Sequence, residues 1–290
     1  MSKIRIMTDS AADIPPETAE ALDIQVLHFP VIINDQEFYD GLSFTPQEFY
    51  EILRKEEKIP THAQITPMQF VELYWDIYQQ GYTDLIFTSI NAKGSATNAN
   101  AHHAVGLFHE EHPEAAGMNI VIIDSKTYTY AYGYAVVEAA KLRDQGKSVQ
   151  EITDFIQDWV DRNRILCAPY SLKFTRKSGR VNATAAFLGD AIGLKPIISF
   201  PDGDNVILSK VRGEKAVIPA MLKMAEAEMD PDAPYFIIQA GLEDKNRQMT
   251  EEAEKRFGRP CECGFYIGPA IAINVGPDFV GIMYRKKEGA

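Results

Sequence analysis

The strongest constraint on this chain is an alternation of short apolar runs with amphipathic helical stretches across its first half. The apolar runs are Ile4–Met7, Ile24–Val26, Leu85–Thr88 and Ile120–Ile123. Helices are predicted from Pro16, from Thr45-Pro46 through Leu53, and from Thr66-Pro67 with Phe70, Val71, Tyr74 and Ile77 on one face. Three more follow: one to about His109, one from about Tyr130 to Asp144 closed by Gly146, and one from Ser148 to about Asp161. Strands separated by helices of this length predict an α/β unit, a parallel sheet with helices on both faces. Ligands of such sheets bind beyond the carboxyl ends of the strands. That rule puts Thr8–Asp13, His62–Thr66, Lys93–Thr97 and Asp124–Ser125 on one rim.

Beyond about Ile165 the texture changes. A basic, glycine-containing turn, Leu172–Val181, precedes an expected helix Ala183–Ile192 and a strand Lys195–Phe200. A helix over about Glu214–Ala227, a strand Tyr235–Gln239, a helix near Thr250–Arg256 and the run Tyr266–Pro277 complete the chain. This half reads as α+β with a mixed sheet. The expected division is an N-terminal α/β domain over 1–161 and a C-terminal α+β domain over 162–290.

The stretch Leu85–Ala99 is a strand, a tight polar turn and a helix opening on small residues. A helix N-terminus offers unpaired N–H groups and the positive end of a dipole, which suits an anion. Lys93 lies in that turn and is either a solvated turn lysine or the cation facing an acidic head group. Ser95, Thr97 and Asn98 also fit ordinary capping chemistry. His102, His103, His109 and His112 lack a second ligand pair and read as a solvated helix end, and Cys261-x-Cys263 reads as packing, so no metal site is expected. Dinucleotide, phosphate-loop and nucleophile-elbow patterns are all missing. Asp9, Asp13 and Asp124 sit where caps and loop staples occur, so no catalytic residue and no cofactor are expected. The rival is a small-molecule enzyme using Lys93 as a Schiff-base amine.

With 29 Lys+Arg against 41 Asp+Glu the net charge is −12, which disfavours nucleic acid as a partner. The three cysteines, the absence of any apolar run near about 18 residues and a start that leads straight into a strand set the expectation of a cytoplasmic protein without a signal peptide. The concentrated basic spot Arg176, Lys177 and Arg180 is either a solvated turn or a surface for a partner or for transient membrane contact.

Taken together, Thr8–Pro15, the Thr61–Pro67 loop, the strand-turn-helix at 88–99, Ile123-Asp124-Ser125, the 172–203 stretch, Lys210–Gly213 and the Ile267-Gly268-Pro269 and Val275-Gly276-Pro277 motifs resemble the DegV family of bacterial fatty-acid-binding proteins. The resemblance covers the whole chain in order. It implies a long-chain fatty acid in a tunnel between the two domains and delivery of that acid to a fatty-acid kinase for phospholipid synthesis, with the basic spot as the kinase contact. It also implies a carboxylate site over His62, Lys93, Gly94, Ser95 and Asn274.

Three head-group positions depart from the family pattern. His62 stands where the family has a threonine, Lys93-Gly94-Ser95 where it has Ser-Gly-Thr, and Asn274 where it has a histidine. Either the site is rebuilt around a cation and a histidine able to become one, or the protein carries or senses a different lipid or organic acid. Phe187, Leu188, Ile192, Ile197, Ile198, Ile271 and Ile273 are expected as tunnel wall or as plain core, with the 183–192 helix as the movable element.

Overall fold

The structure, a computed structural model, describes residues 3–178 and 193–289. It divides into two compact units, residues 1–30 with 63–161 and residues 31–62 with 162–290.

In the first unit four strands form a wholly parallel sheet. Ile4–Asp9 lies between Ile24–Leu27 and Asp84–Ser89, and Asn119–Asp124 pairs with the outer side of Asp84–Ser89. All six residues of Ile4–Asp9 are buried. Successive strand residues point to opposite faces, so both faces of the sheet are covered, as the alternating pattern requires. The helix Pro67–Gln79 starts from a capping box in which Thr66 accepts from the Gln69 N–H and the Gln69 side chain accepts from the Thr66 N–H. It buries Phe70, Val71, Tyr74 and Ile77. Phe70 packs on Phe87 of the sheet with ring centroids 5.4 Å apart, and Tyr74 meets Phe108 of the helix Thr97–Glu111 edge-on at 5.8 Å. The helix Tyr130–Asp144 packs against Ile4–Asp9, and Trp159 of the helix Val149–Arg162 donates to its Ala131 carbonyl at 2.6 Å.

The second unit holds a six-stranded mixed sheet in the order Val206–Arg212, Leu194–Ser199, Asn163–Pro169, Phe279–Arg285, Tyr235–Gln239, Gly264–Tyr266. Its neighbours are antiparallel except the last pair. The helices Val217–Glu228 and Glu243–Phe257 close over a core that includes Leu166, Ile197, Met221, Tyr235, Ile282 and Tyr284. Ile197, expected as tunnel wall or core, belongs to this core.

Residues 31–62 group with the second unit, whereas the sequence reading ran the first domain continuously over 1–161. The reason is a set of long-range ties. The Tyr50 hydroxyl of the helix Pro46–Lys55 donates to the Ile267 carbonyl at 2.6 Å in a buried position. Arg54 donates to the Gly241 carbonyl at 2.8 Å and lies 3.5 Å from the Asp278 carboxylate. Thr61–His62, expected as loop, pairs antiparallel with Val31 and Ile32.

Candidate functional site

The turn after Asp84–Ser89 is built by carboxylates of its own unit. Asp9, fully buried at the end of its strand, accepts from the Ile90 N–H at 2.7 Å and the Tyr132 hydroxyl at 2.6 Å. Asp124 accepts from the N–H groups of Ala92 and Lys126, both at 2.9 Å. Asp13, with a left-handed φ of 49°, accepts from the Thr129 hydroxyl. Asn91 completes the turn. Its side-chain oxygen accepts from the Lys93 N–H at 3.1 Å, its carbonyl accepts from Gly94 and Ser95 at 3.0 and 3.1 Å, and its own N–H donates to the Thr127 carbonyl at 3.1 Å. The helix begins only at Thr97, whose N–H donates to the Ser95 hydroxyl oxygen at 3.3 Å.

The N–H groups of residues 90 to 95 and of Thr97 are therefore engaged within the chain. This corrects the expectation of unpaired backbone donors there: at these positions an anion would have to meet side chains, of which Lys93 is exposed and the half-buried Ser95 hydroxyl already lies 3.0 Å from the Thr97 hydroxyl. Gly94 has a packing role. A Cβ there would lie 2.5 Å from the Tyr128 hydroxyl, which accepts from Asn91 Nδ2 at 2.9 Å. Asn98 donates to the Ser89 hydroxyl at 2.9 Å and is buried. Asn91, Tyr128 and Tyr132 were not singled out in the sequence. An Asn just after an apolar strand was the available signal for the first; the two tyrosines gave none.

In the second unit a cleft of about 240 Å³ is lined by Ile59–His62, Lys177, Ile273 and Asn274. His62 reaches it from the short strand Thr61–His62. Ile273 and Asn274 come from the helix Pro269–Val275, which opens with Gly268 as cap and Pro269 in its first turn and stops at Gly276. Gly276 has φ 84° and ψ 172°, and a Cβ on it would meet the Phe174 ring at 2.4 Å. Phe174 belongs to the helix Lys173–Ser178, so its contact with Gly276 seats the segment that carries Lys177. Asn274 Nδ2 lies 2.8 Å from the Ala270 carbonyl oxygen and 3.3 Å from His62 Nε2.

Of the residues expected to bind ligand, His62 and Asn274 are thus brought together in the second unit, and Lys93, Gly94 and Ser95 share one turn of the first. Of the basic spot, Lys177 lines the cleft and Arg176 lies in the helix Lys173–Ser178. Arg180, Phe187, Leu188, Ile192 and the rest of the helix expected over 183–192 lie outside the described residues. Ile271 and Ile273 are buried, and Ile273 alone of the pair lines the cleft. Among the described residues no helix is long and apolar enough to cross a membrane.

The chain matches the family described as "Uncharacterised protein, DegV family" over residues 3–287. A DegV domain-containing protein of Clostridium acetobutylicum is 30% identical over 272 residues, covering 92% of this chain and 94% of that protein. Among solved structures, a fatty acid binding DegV family protein from Streptococcus agalactiae superposes with a TM-score of 0.87 at 24% identity, covering 99% of this chain and all of that one. A stearic acid-binding protein from Eubacterium ventriosum superposes with a TM-score of 0.86 at 21% identity, covering 99% of each chain. The parallel sheet, the mixed sheet and a family match over nearly every residue agree: the chain belongs to the DegV family.

Proposed function

We propose that this protein binds a long-chain fatty acid and acts as a carrier without chemistry of its own. The supporting observation is the whole-chain membership in a family with solved members described as fatty acid binding. A bound acyl chain of about 14–16 methylenes would contribute roughly 11–13 kcal/mol of gross apolar burial, before association costs. One charge-assisted contact to the carboxylate adds roughly 1–3 kcal/mol. Apolar burial then sets affinity, and the head-group contact selects acids over neutral lipids.

The proposed head-group position is the cleft lined by His62, Asn274 and Lys177, where a lysine and two hydrogen-bonding side chains converge. The Lys93 and Ser95 turn of the first unit, with Gly94 shaping it, is the other candidate. Native mass spectrometry of the purified protein, before and after mild denaturation, should release an acid of fatty-acid mass. Lys177→Met should weaken binding of the acid roughly tenfold or more while sparing the matched fatty alcohol. Equal losses for acid and alcohol in Lys177→Met, with a selective loss in Lys93→Met, would move the head group to the first unit. Delivery to a fatty-acid kinase through Arg176, Lys177 and Arg180 is the remaining part of the proposal. It fails if Arg176→Ala and Arg180→Ala proteins load lipid normally and still support full acyl-phosphate formation.

A further inference from the structure

The side-chain amide of Asn274 faces two acceptors. Its Nδ2 lies 2.8 Å from the carbonyl oxygen of Ala270, one turn back in the same helix, and 3.3 Å from His62 Nε2. The carbonyl decides which way round the amide sits. Turned over, the amide would set its own oxygen against a second acceptor oxygen, with no proton between them. With one N–H committed to Ala270, the other is directed at the His62 ring nitrogen. A ring nitrogen that receives an N–H must offer its lone pair, so Nε2 carries no proton and the neutral ring keeps its proton on Nδ1.

We propose that Asn274 is a positioning residue that holds His62 as the neutral Nδ1–H tautomer. His62 then enters head-group recognition as a neutral ring and not as a cation, and among the described residues lining the cleft the formal positive charge is that of Lys177. This assignment alters the sequence expectation in two ways. Asn274 acts through His62, not as a ligand contact in its own right, and the histidine does not supply the charge. The affinity consequences rest on the fatty-acid reading above; the tautomer does not.

The test has two arms. In delipidated protein labelled with ¹⁵N-histidine at neutral pH, the His62 ring, assigned by the loss of its signals in His62→Ala, should show a protonated Nδ1 and a bare Nε2. Asn274→Leu, with Asn274→Ala as the second variant, should move the ring toward the Nε2–H form that imidazoles prefer in water. A wild-type ring that is mainly Nε2–H or imidazolium overturns the proposal. In the binding arm, Asn274→Leu should weaken fatty-acid affinity about fivefold, the size of one ordinary hydrogen bond. His62→Ala with Asn274→Leu should be no weaker than His62→Ala alone, because one residue acts through the other. Additive losses overturn the positioning role. A protein that takes up no fatty acid at all would refute the carrier reading while leaving the spectroscopic arm to decide the tautomer.

Discussion

Replacing Gly276 by alanine tests how the second unit seats its cleft. Two costs add at this position. With φ 84° and ψ 172° the backbone is in a region that is nearly glycine-only, which costs an alanine about 1–3 kcal/mol. The new Cβ would also lie 2.4 Å from the Phe174 ring, and forcing atoms into such a contact costs about 1–3 kcal/mol. The expected loss is therefore about 2–6 kcal/mol from the second unit. Gly258, the left-handed cap of Glu243–Phe257 in the same unit, supplies the control. It has φ 69° and ψ 17°, and nothing lies within 4 Å of a Cβ built there. Gly258→Ala should cost only the left-handed backbone term, about 1–2 kcal/mol. Native-state amide hydrogen exchange in Phe279–Arg285, a central strand of the mixed sheet, reads the opening of this unit. Pairing Gly276→Ala with Phe174→Leu should recover about 1–2 kcal/mol relative to the sum of the single changes. Equal losses at Gly276 and Gly258, or strict additivity with Phe174→Leu, would refute the claim that the Phe174 ring and the helix end are fitted to each other.

Two further predictions concern the first unit. Tyr132→Phe removes a buried donor from the Asp9 carboxylate and should lower stability by about 2 kcal/mol, measured by chemical denaturation; a change below about 0.5 kcal/mol would contradict the staple role. Burial raises the Asp23 pKa, but the Arg5 hydrogen bond and charge, with help from Tyr82 and Arg143, outweigh it and hold the carboxyl below its ordinary value. A lowered carboxylate pKa stabilises the fold above the unfolded-state pKa, and that contribution is lost as pH falls through the folded one. The stability gap between wild type and Asp23→Asn should thus be steady from about pH 5 to 7, below about 1 kcal/mol because Asp23 is largely exposed, and should close below about pH 4. A gap that widens on acidification would reverse the assignment.

The parallel half was readable because its signals are local. Thr66-Pro67 with Gln69 announces a capped helix, and Phe70, Val71, Tyr74 and Ile77 announce its buried face; each is where the spacing puts it. The second half hides its elements for physical reasons. Pro269–Val275 is buried from Pro269 through Ile273 and carries Asn274 as its one polar residue, so it shows no amphipathic repeat and its composition reads like a strand. The Gly-Pro pairs on either side are the cap and stop of a seven-residue helix, a meaning that depends on the residues they bracket. Asn163–Pro169 and Phe279–Arg285 form the centre of the mixed sheet, but their pairing partners are more than a hundred residues apart, beyond any local pattern. The place of residues 31–62 is likewise decided by Tyr50 and Arg54 reaching distant carbonyls. The same holds for the candidate site: His62 and Asn274 are 212 positions apart, and only the fold shows that their side chains meet.

The turn at residues 90–97 shows why a correct strand-turn-helix reading can still misplace the chemistry. A helix start after a strand end does collect N–H groups, and anions do bind such groups. Here the anions are the chain's own. Asp9 and Asp124 take the Ile90 and Ala92 N–H groups, and Asn91 and Ser95 take the N–H groups that follow. A ligand carboxylate competing for them would have to displace side chains already held in place and would bear the association entropy that they do not. It would also leave the displaced Asp9 without its backbone donor in a fully buried position, at a cost above that of an ordinary hydrogen bond. Under the proposed carrier function, carboxylate recognition therefore falls to side chains that can meet the ligand without dismantling the turn. The candidates on that proposal are the exposed Lys93 of the first unit and, on the second, Lys177 with His62 beside Asn274.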